Sequence, residues 1–300
     1  MLAEVREPRG RAATIARMSE QALIDAATLA HNLAQPGTVV IDCRFKLLDP
    51  AAGRAEYTRG HIPGARYADL DRDLARAPAR GEGRHPLPDP QTFAATLSEW
   101  GIDRDSTVVA YDDGSGAIAA RLWWMLRWLG HASSRVLDGG YTAWQAAGLP
   151  VETTQPTWAS AHFEPSSVMT DWVASTKEVG TLPADALLID VRGAARYRGE
   201  QEPIDPVAGH VPGAVNWPFT NALTPDGRFR PAEELQRDLR ALMGERAPAQ
   251  VVAMCGSGVT ACHLLLALRV AGLGNARLYP GSWSEWIRDS ARPVTMGAEP

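Results

Sequence analysis

The residues with the most chemistry to offer in this chain are its three cysteines, Cys43, Cys255 and Cys262. One of them sits where a reactive thiol belongs. Cys255 lies within Val251-Val252-Ala253-Met254-Cys255-Gly256-Ser257-Gly258-Val259-Thr260-Ala261-Cys262-His263. The aliphatic run before it reads as a buried strand, the glycines as a turn, and the residues after them as a helix. A strand therefore delivers Cys255 to its C-terminal end, where ligands bind in open α/β sheets. Gly256 and Gly258 let the backbone curl without Cβ clashes. The N–H groups of Gly256, Ser257, Gly258, Val259 and Thr260 then face inward as an anion nest, backed by the helix N-terminus. Such a nest favours a thiolate over a thiol. It equally suits the negatively charged outer sulfur of a persulfide.

The other thiols read differently. Cys262 falls one or two helical turns further on, and Cys43 just after an apolar strand; both suit core packing. Cys255, Cys262 and His263 match no common zinc spacing and lack an evident fourth ligand. Ser257 has two open roles, a hydrogen-bond donor to the substrate or leaving group, or a small turn former.

The elements that carry this loop occur twice. Val39-Val40-Ile41-Asp42-Cys43-Arg44 returns as Leu187-Leu188-Ile189-Asp190-Val191-Arg192, and Gly60-His61-Ile62-Pro63-Gly64-Ala65 as Gly209-His210-Val211-Pro212-Gly213-Ala214. Val108-Val109-Ala110 returns as Val251-Val252-Ala253, and Gly140-Tyr141-Thr142-Ala143-Trp144 is echoed by Gly281 to Trp286. The order of the blocks is kept, so the chain is a duplicated domain. Where the second copy has Cys255, the first has Asp112, in Tyr111-Asp112-Asp113-Gly114-Ser115-Gly116. An aspartate cannot form a persulfide, so the first copy is expected to be inactive.

Within each copy, short aliphatic runs alternate with helical patterns, which predicts an α/β fold with a parallel sheet flanked by helices. Asp89-Pro90 opens one helix, and Pro231 with Glu233 and Glu234 another. The expected division is a tail over residues 1–18, an inactive domain over 19–151, a linker over 152–165 and a catalytic domain over 166–296. Met18, directly before Ser19-Glu20, is an alternative start to Met1.

Composition bounds the rest. Of 300 residues, 45% are hydrophobic and 22% charged, which is globular. A net charge of −5 gives no electrostatic case for a nucleic-acid or anionic-membrane partner. No apolar run approaches the roughly 20 residues that span a bilayer. The first residues lack a secretory h-region, and the low, odd cysteine count points to a reducing compartment, the cytoplasm.

These motifs together resemble the tandem rhodanese family of thiosulfate and mercaptopyruvate sulfurtransferases, over about residues 20 to 296. The resemblance implies two similar rhodanese-like domains, the second catalytic. It implies ping-pong transfer of sulfane sulfur from an anionic donor to Cys255, and from there to cyanide or a thiol. A thioredoxin-like reductant is a possible partner on the same ground, and no metal or organic cofactor is implied. Cys-Gly-Ser-Gly-Val-Thr is similar to the loop of the mercaptopyruvate enzymes. Arg196, before the second Gly-His-Val-Pro-Gly block, matches the family's donor-binding arginine. His61 matches a first-domain histidine of the cleft, with a structural role beside the Ile-Pro-Gly turn the alternative; His210 reads as structural. The chain departs from the pattern at Ile204, after Glu202-Pro203, where mercaptopyruvate enzymes often carry a second arginine. With no basic side chain in the loop itself, the site is expected to offer one cation, Arg196. Asp42, Arg44, Asp190 and Arg192 recur in both copies and read as structural ion pairs; Trp144, Trp283 and Trp286 read as core.

Two rivals remain. A cysteine phosphatase needs an arginine six positions after its cysteine, where this chain has Ala261. A non-catalytic sulfur carrier or interaction protein on the same fold would not need the intact Cys255 loop.

Overall fold

The computed structural model describes residues 22 to 300. The expected tail over residues 1–18 and the alternative start at Met18 lie outside them. The first half runs Leu23–Ile24 (β1), Ala26–Asn32 (α1), Thr38–Asp42 (β2), Pro50–Arg59 (α2), Arg66–Tyr67 (β3), Pro90–Glu99 (α3), Thr107–Tyr111 (β4), Ala119–Trp128 (α4), Ser134–Leu137 (β5) and Gly140–Ala146 (α5). Its five strands form one sheet in the order β1-β5-β4-β2-β3, every pair parallel. The second half runs Thr176–Val179 (α6), Leu187–Asp190 (β6), Ala194–Tyr197 (α7), Ala214–Asn216 (β7), Ala232–Met243 (α8), Val251–Met254 (β8), Ala261–Val270 (α9), Arg277–Leu278 (β9) and Ser282–Trp286 (α10).

The second sheet, β7-β6-β8-β9, is also parallel and repeats β3-β2-β4-β5 of the first. What β1 does in the first sheet is reduced in the second to a single parallel bridge, Val173 to Leu278. Helices flank both sheets, as the alternation in sequence requires.

Local signals act where they were expected. Asp89 caps α3 by accepting from the N–H of Gln91 and Thr92, and Pro90 occupies its first turn. Glu233 and Glu234 stand in the first turn of α8, which buries Leu235, Leu239 and Met243. The repeated Asp-x-Arg is a buried fork. Arg44 Nη2 lies 2.5 Å from Asp42 and donates to the Gly60 carbonyl at 2.8 Å. Arg192 repeats this on Asp190 at 2.6 Å and Gly209 at 2.8 Å. Each pair thus ties its strand end to the Gly-His-x-Pro-Gly turn.

The halves meet through the helices that follow their loops. Every residue of α4 but Arg127 and of α9 but Arg269 is buried, as expected of helices apolar all round. They pack on each other, and Leu122, Met125 and Leu126 share one apolar cluster with Leu264, Leu265 and Leu268. Full burial of such a side chain contributes about 1.5–3 kcal/mol, so the interface behaves as a core. Residues 152–165 hold no helix and are pinned to the first half: Glu152 bridges His61, and Trp158 Nε1 donates to the Glu99 carbonyl at 2.7 Å.

Candidate active site

Strand β8 ends at Met254, and Cys255 is the next residue, 3% exposed. The loop is held from outside by α10. Trp283 N–H donates to the Cys255 carbonyl at 3.1 Å, and Ser284 N–H to the Gly256 carbonyl at 2.8 Å. The Cys255 N–H donates to Ser282 Oγ at 3.0 Å. Ser282 has φ 52°, and no other non-glycine described residue has positive φ. Such backbone costs about 1–3 kcal/mol and is retained where the surroundings enforce it. Gly258 has φ 77°, and a Cβ there would lie 2.3 Å from the Pro280 carbonyl oxygen, so this position requires glycine. With the carbonyls of Cys255 and Gly256 tied outward, the N–H groups of Gly256, Ser257, Gly258, Val259 and Thr260 have no hydrogen-bond acceptor within the described residues.

The first half shows what such a loop holds. Asp112, fully buried, accepts from the N–H groups of Gly114 at 3.1 Å, Gly116 at 2.9 Å, Ile118 at 2.8 Å and Ala119 at 3.2 Å. Gly116 has φ 76°, matching Gly258. The Asp112 loop is one residue longer, since α4 begins seven residues after Asp112 and α9 six after Cys255. In the first half, then, a fixed carboxylate fills the nest.

A short strap from the first half closes over the Cys255 loop. Gly83 N–H donates to Glu285 at 3.3 Å, Arg84 N–H to Ser284 Oγ at 3.0 Å, and His85 Nδ1 lies 2.7 Å from Ser257 Oγ. On its other side His85 Nε2 lies 3.1 Å from Asp71. Burial, aided by the nearby Arg121 and Arg84, depresses the His85 pKa to about 3, so the ring is neutral at ordinary pH. Its contact with Asp71 is therefore a hydrogen bond. The proton sits on Nε2 facing the carboxylate, and Nδ1 accepts from the Ser257 hydroxyl. Asp71, His85 and Ser257 form a chain ending beside Cys255.

Two guanidiniums face the same point of the loop. A Cβ on Gly256 would lie 3.2 Å from Arg84 Nη2 and 3.6 Å from Arg196 Nη1. Arg84 Nη1 donates to Asp205, and Arg196 Nη2 donates to Asp205 at 3.2 Å and to Glu202 at 2.7 Å. Glu202 also reaches Arg192 at 3.4 Å. The expectation of a single cation is thus corrected: a second one arrives from the first half of the chain. Ile204, where a second arginine was sought, instead lines an apolar cleft of about 450 Å³ with Phe45, Leu48, Leu70, Ile118 and Val259, open beside Ser257.

Arg121, on α4, lies beneath the loop with no exposure. It donates to the carbonyls of Gly258 at 3.1 Å, His85 at 3.1 Å and Leu74 at 3.3 Å. His263 mirrors it from α9, with Nε2 2.9 Å from the Ser115 carbonyl.

Of the residues singled out in the sequence, Cys255, the five residues after it and Arg196 converge. His61 does not join them. It is buried against Tyr57, with ring centroids 4.0 Å apart and Nδ1 2.8 Å from the Tyr57 carbonyl, and its backbone pairs with Glu152. His210 repeats this on Tyr197, so the shared motif gives both histidines the same structural setting. The histidine that reaches the loop is His85. It was missed, with Arg84, Asp71 and Arg121, because none belongs to a repeated block or a periodic pattern. Cys262 is packed in α9, its Sγ 3.5 Å from the Gly258 carbonyl, and burial pushes its thiol up to about 12. Burial raises the Cys43 thiol as well.

The profile of the Rhodanese-like domain matches residues 25–147 and again 171–289. The chain is 50% identical to a probable 3-mercaptopyruvate sulfurtransferase of Pseudomonas aeruginosa, over 93% of this chain and all of the relative. It is 41% identical to a putative thiosulfate sulfurtransferase of Mycobacterium tuberculosis, over 92% of this chain and 98% of the relative. Among solved structures, the 3-mercaptopyruvate sulfurtransferase from Leishmania major superposes with a TM-score of 0.79 at 33% identity, covering 88% of this chain and 74% of that one. No helix among the described residues is long and apolar enough to cross a membrane.

Proposed function

The chain belongs to the rhodanese family and is a sulfurtransferase, and from that premise we propose that Cys255 carries the transferred sulfur as a persulfide, with 3-mercaptopyruvate the preferred donor. The observation that supports this reading best is the Asp112 loop. Its four N–H groups hold a buried anion, and the Cys255 loop offers the same architecture around a thiol. A terminal persulfide anion is the group that fits there.

The steps balance without an outside oxidant. The Cys255 thiolate attacks the donor sulfur and forms the S–S bond as the C–S bond breaks. The electron pair of that bond leaves on the enolate of pyruvate. The proton first carried by the donor thiol ends on the enolate carbon, leaving a persulfide anion and pyruvate. Ser257, hydrogen-bonded to a neutral His85 that Asp71 orients, is the group to which this reading assigns that proton's transfer. Cyanide or a thiolate then takes the outer sulfur and restores the Cys255 thiolate. A thiol acceptor, free or on a thioredoxin-like protein, reaches that sulfur through the apolar cleft beside Ser257.

The donor carboxylate is held by Arg196. Arg84, Arg192 and Arg196 face Asp190, Glu202 and Asp205, so the cluster is neutral as a whole. A neutral cluster suits a donor with one charge better than thiosulfate with two. The chemistry requires a reduced thiol, which fits a cytoplasmic setting. The test is intact mass after donor treatment: one added sulfur is expected, on the peptide containing Cys255, with transfer abolished in Cys255→Ser. Sulfur on Cys43 or Cys262, or a better than tenfold preference for thiosulfate, overturns the respective part.

A further inference from the structure

We propose that a cleft between the C-terminal ends of α4 and α9 binds a phosphate group, held by Arg127, Arg135 and Arg269. The inference does not depend on which donor the thiol site takes.

The cleft has a volume of about 340 Å³, and the three arginines line it together with Thr107, Ser133 and Ser134. Arg127 stands in the last turn of α4 and Arg269 in the last turn of α9, while Arg135 comes from β5. Among the described residues that line the cleft, none is acidic. A basic side chain at a helix C-terminus complements the helix dipole, which accounts for one arginine on each helix. It does not account for gathering the two beside a third. Each helix end carries only about half a negative charge, too little to offset the guanidiniums. Burial, aided by the Arg269 charge, lowers the Arg127 pKa to about 10, so the crowding works against the charged form.

Unmet donors concentrate at the same place. Five buried side-chain polar atoms without a partner among the described residues belong to the stretch 123–134: Trp123 Nε1, Arg127 Nε, Trp128 Nε1, His131 Nε2 and Ser134 Oγ. Arg127 and Ser134 line the cleft, and Ser134 is 1% exposed. Buried polar groups are normally satisfied, and each exception asks for a cause. Arg127 is held in place: its Nη1 donates to the Ala132 carbonyl at 3.0 Å, and its guanidinium carbon lies 5.4 Å from the Trp123 ring centroid. Guanidiniums from three elements and a serine hydroxyl suit the oxygens of a tetrahedral anion better than those of a planar carboxylate. The cleft has room beyond one oxyanion, so the same chemistry fits inorganic phosphate or a phosphate monoester.

The cleft is separate from the thiol site. Helix α9 has ten residues, about 15 Å, and runs from the Cys255 loop to the cleft. Because α4 and α9 come from different halves of the chain, a phosphate held here links the two halves at the end opposite their loops.

The experiment is equilibrium dialysis of the full chain against radiolabelled inorganic phosphate, at ionic strength held constant with chloride. One saturable site is expected at millimolar phosphate. Arg127→Gln and Arg135→Gln should each weaken it by about ten- to hundredfold, the loss of one charged hydrogen bond. Arg127→Lys should fall between, since an ammonium keeps the charge but not the planar fork. Arg196→Gln, beside the Cys255 loop, should leave binding unchanged. Should Arg127→Gln not fold, Arg135→Gln and Arg127→Lys give the same reading. Unlabelled glycerol 3-phosphate distinguishes the sources: displacement at lower concentration than unlabelled phosphate assigns the site to a monoester, and at higher concentration to the free ion. Absence of saturable binding overturns the proposal. So does binding that survives in both glutamine variants or is lost in Arg196→Gln instead, because the anion would then sit beside Cys255.

Discussion

The guanidinium of Arg121, in the domain whose own loop carries Asp112, donates to the carbonyl of Gly258, in the loop that carries Cys255, at 3.1 Å. The third residue of α4 thus supports the other domain's loop, and the third residue of α9, His263, returns the contact to Ser115. Among the described residues no carboxylate bonds Arg121; its backbone acceptors are the carbonyls of Leu74, His85 and Gly258. The first domain has Asp112 where the second has Cys255, yet it holds the second loop in shape.

Arg121→Met should therefore damage the site without changing its selectivity. Each buried carbonyl left without a donor costs about 1–3 kcal/mol. A lower urea midpoint is expected, with kcat/KM falling alike for mercaptopyruvate and thiosulfate. Arg121→Lys should be intermediate, because one ammonium cannot serve three carbonyls in this geometry. A large change in the ratio of the two donors would contradict a purely structural role for Arg121.

Asp112→Ala addresses the filled nest. It leaves the buried N–H groups of Gly116 and Ala119 and the part-buried ones of Gly114 and Ile118 without an acceptor, so a loss of stability in chemical denaturation is expected, at about 1–3 kcal/mol for each buried group. Activity per folded molecule should stay within a few-fold of wild type. A fall as deep as that of Cys255→Ser, in protein shown to be folded, would mean that the first domain does chemistry.

Ser257→Ala and Asp71→Asn probe the proton path. General acid–base assistance contributes about 10²–10⁴-fold, and the oxo acid needs a proton on its leaving enolate. Sulfite leaving from thiosulfate needs none. Ser257→Ala should slow the mercaptopyruvate half-reaction by at least about tenfold more than the thiosulfate one, read by single-turnover kinetics. Equal slowing would assign Ser257 to loop shape alone.

His263 makes stability depend on acid. Burial lowers its pKa to about 4, while in the unfolded chain it is near 6.5. Between these values the unfolded state binds a proton that the native state does not. Stability is thus lost as pH falls through that window, by about 1.4 kcal/mol per unit for this residue. His85, depressed to about 3, acts in the same sense. Urea midpoints at pH 7, 6 and 5 should decline, and less steeply in His263→Gln. An identical slope in that variant would remove His263 from the account.

Some of the site was legible in the chain alone because it is local. A buried strand, a Gly-Ser-Gly turn and a helix are consecutive residues, and the nest around Cys255 follows from them. The duplication was legible for the same reason: Asp42 and Arg44 serve Gly60 as Asp190 and Arg192 serve Gly209, so the motifs recur in order. Arg196 was found through the motif it precedes, the Gly-His-Val-Pro-Gly block. The repeated motif also misled at His61, since likeness to a cleft residue says nothing of which way the ring faces.

What the tertiary structure alone decided lies across the interface. Asp71, Arg84, His85 and Arg121 are more than a hundred residues from Cys255. They obey no period and stand in no repeated block. Their positions follow from how α4 packs on α9 and from the strap that this packing brings over the Cys255 loop. That packing is driven by apolar burial, which is non-directional; a list of leucines does not state which charged side chains will be carried to its rim. The thiol and its nest are local chemistry, whereas the second cation, the proton path and the support beneath the loop exist only once the two halves have closed on each other.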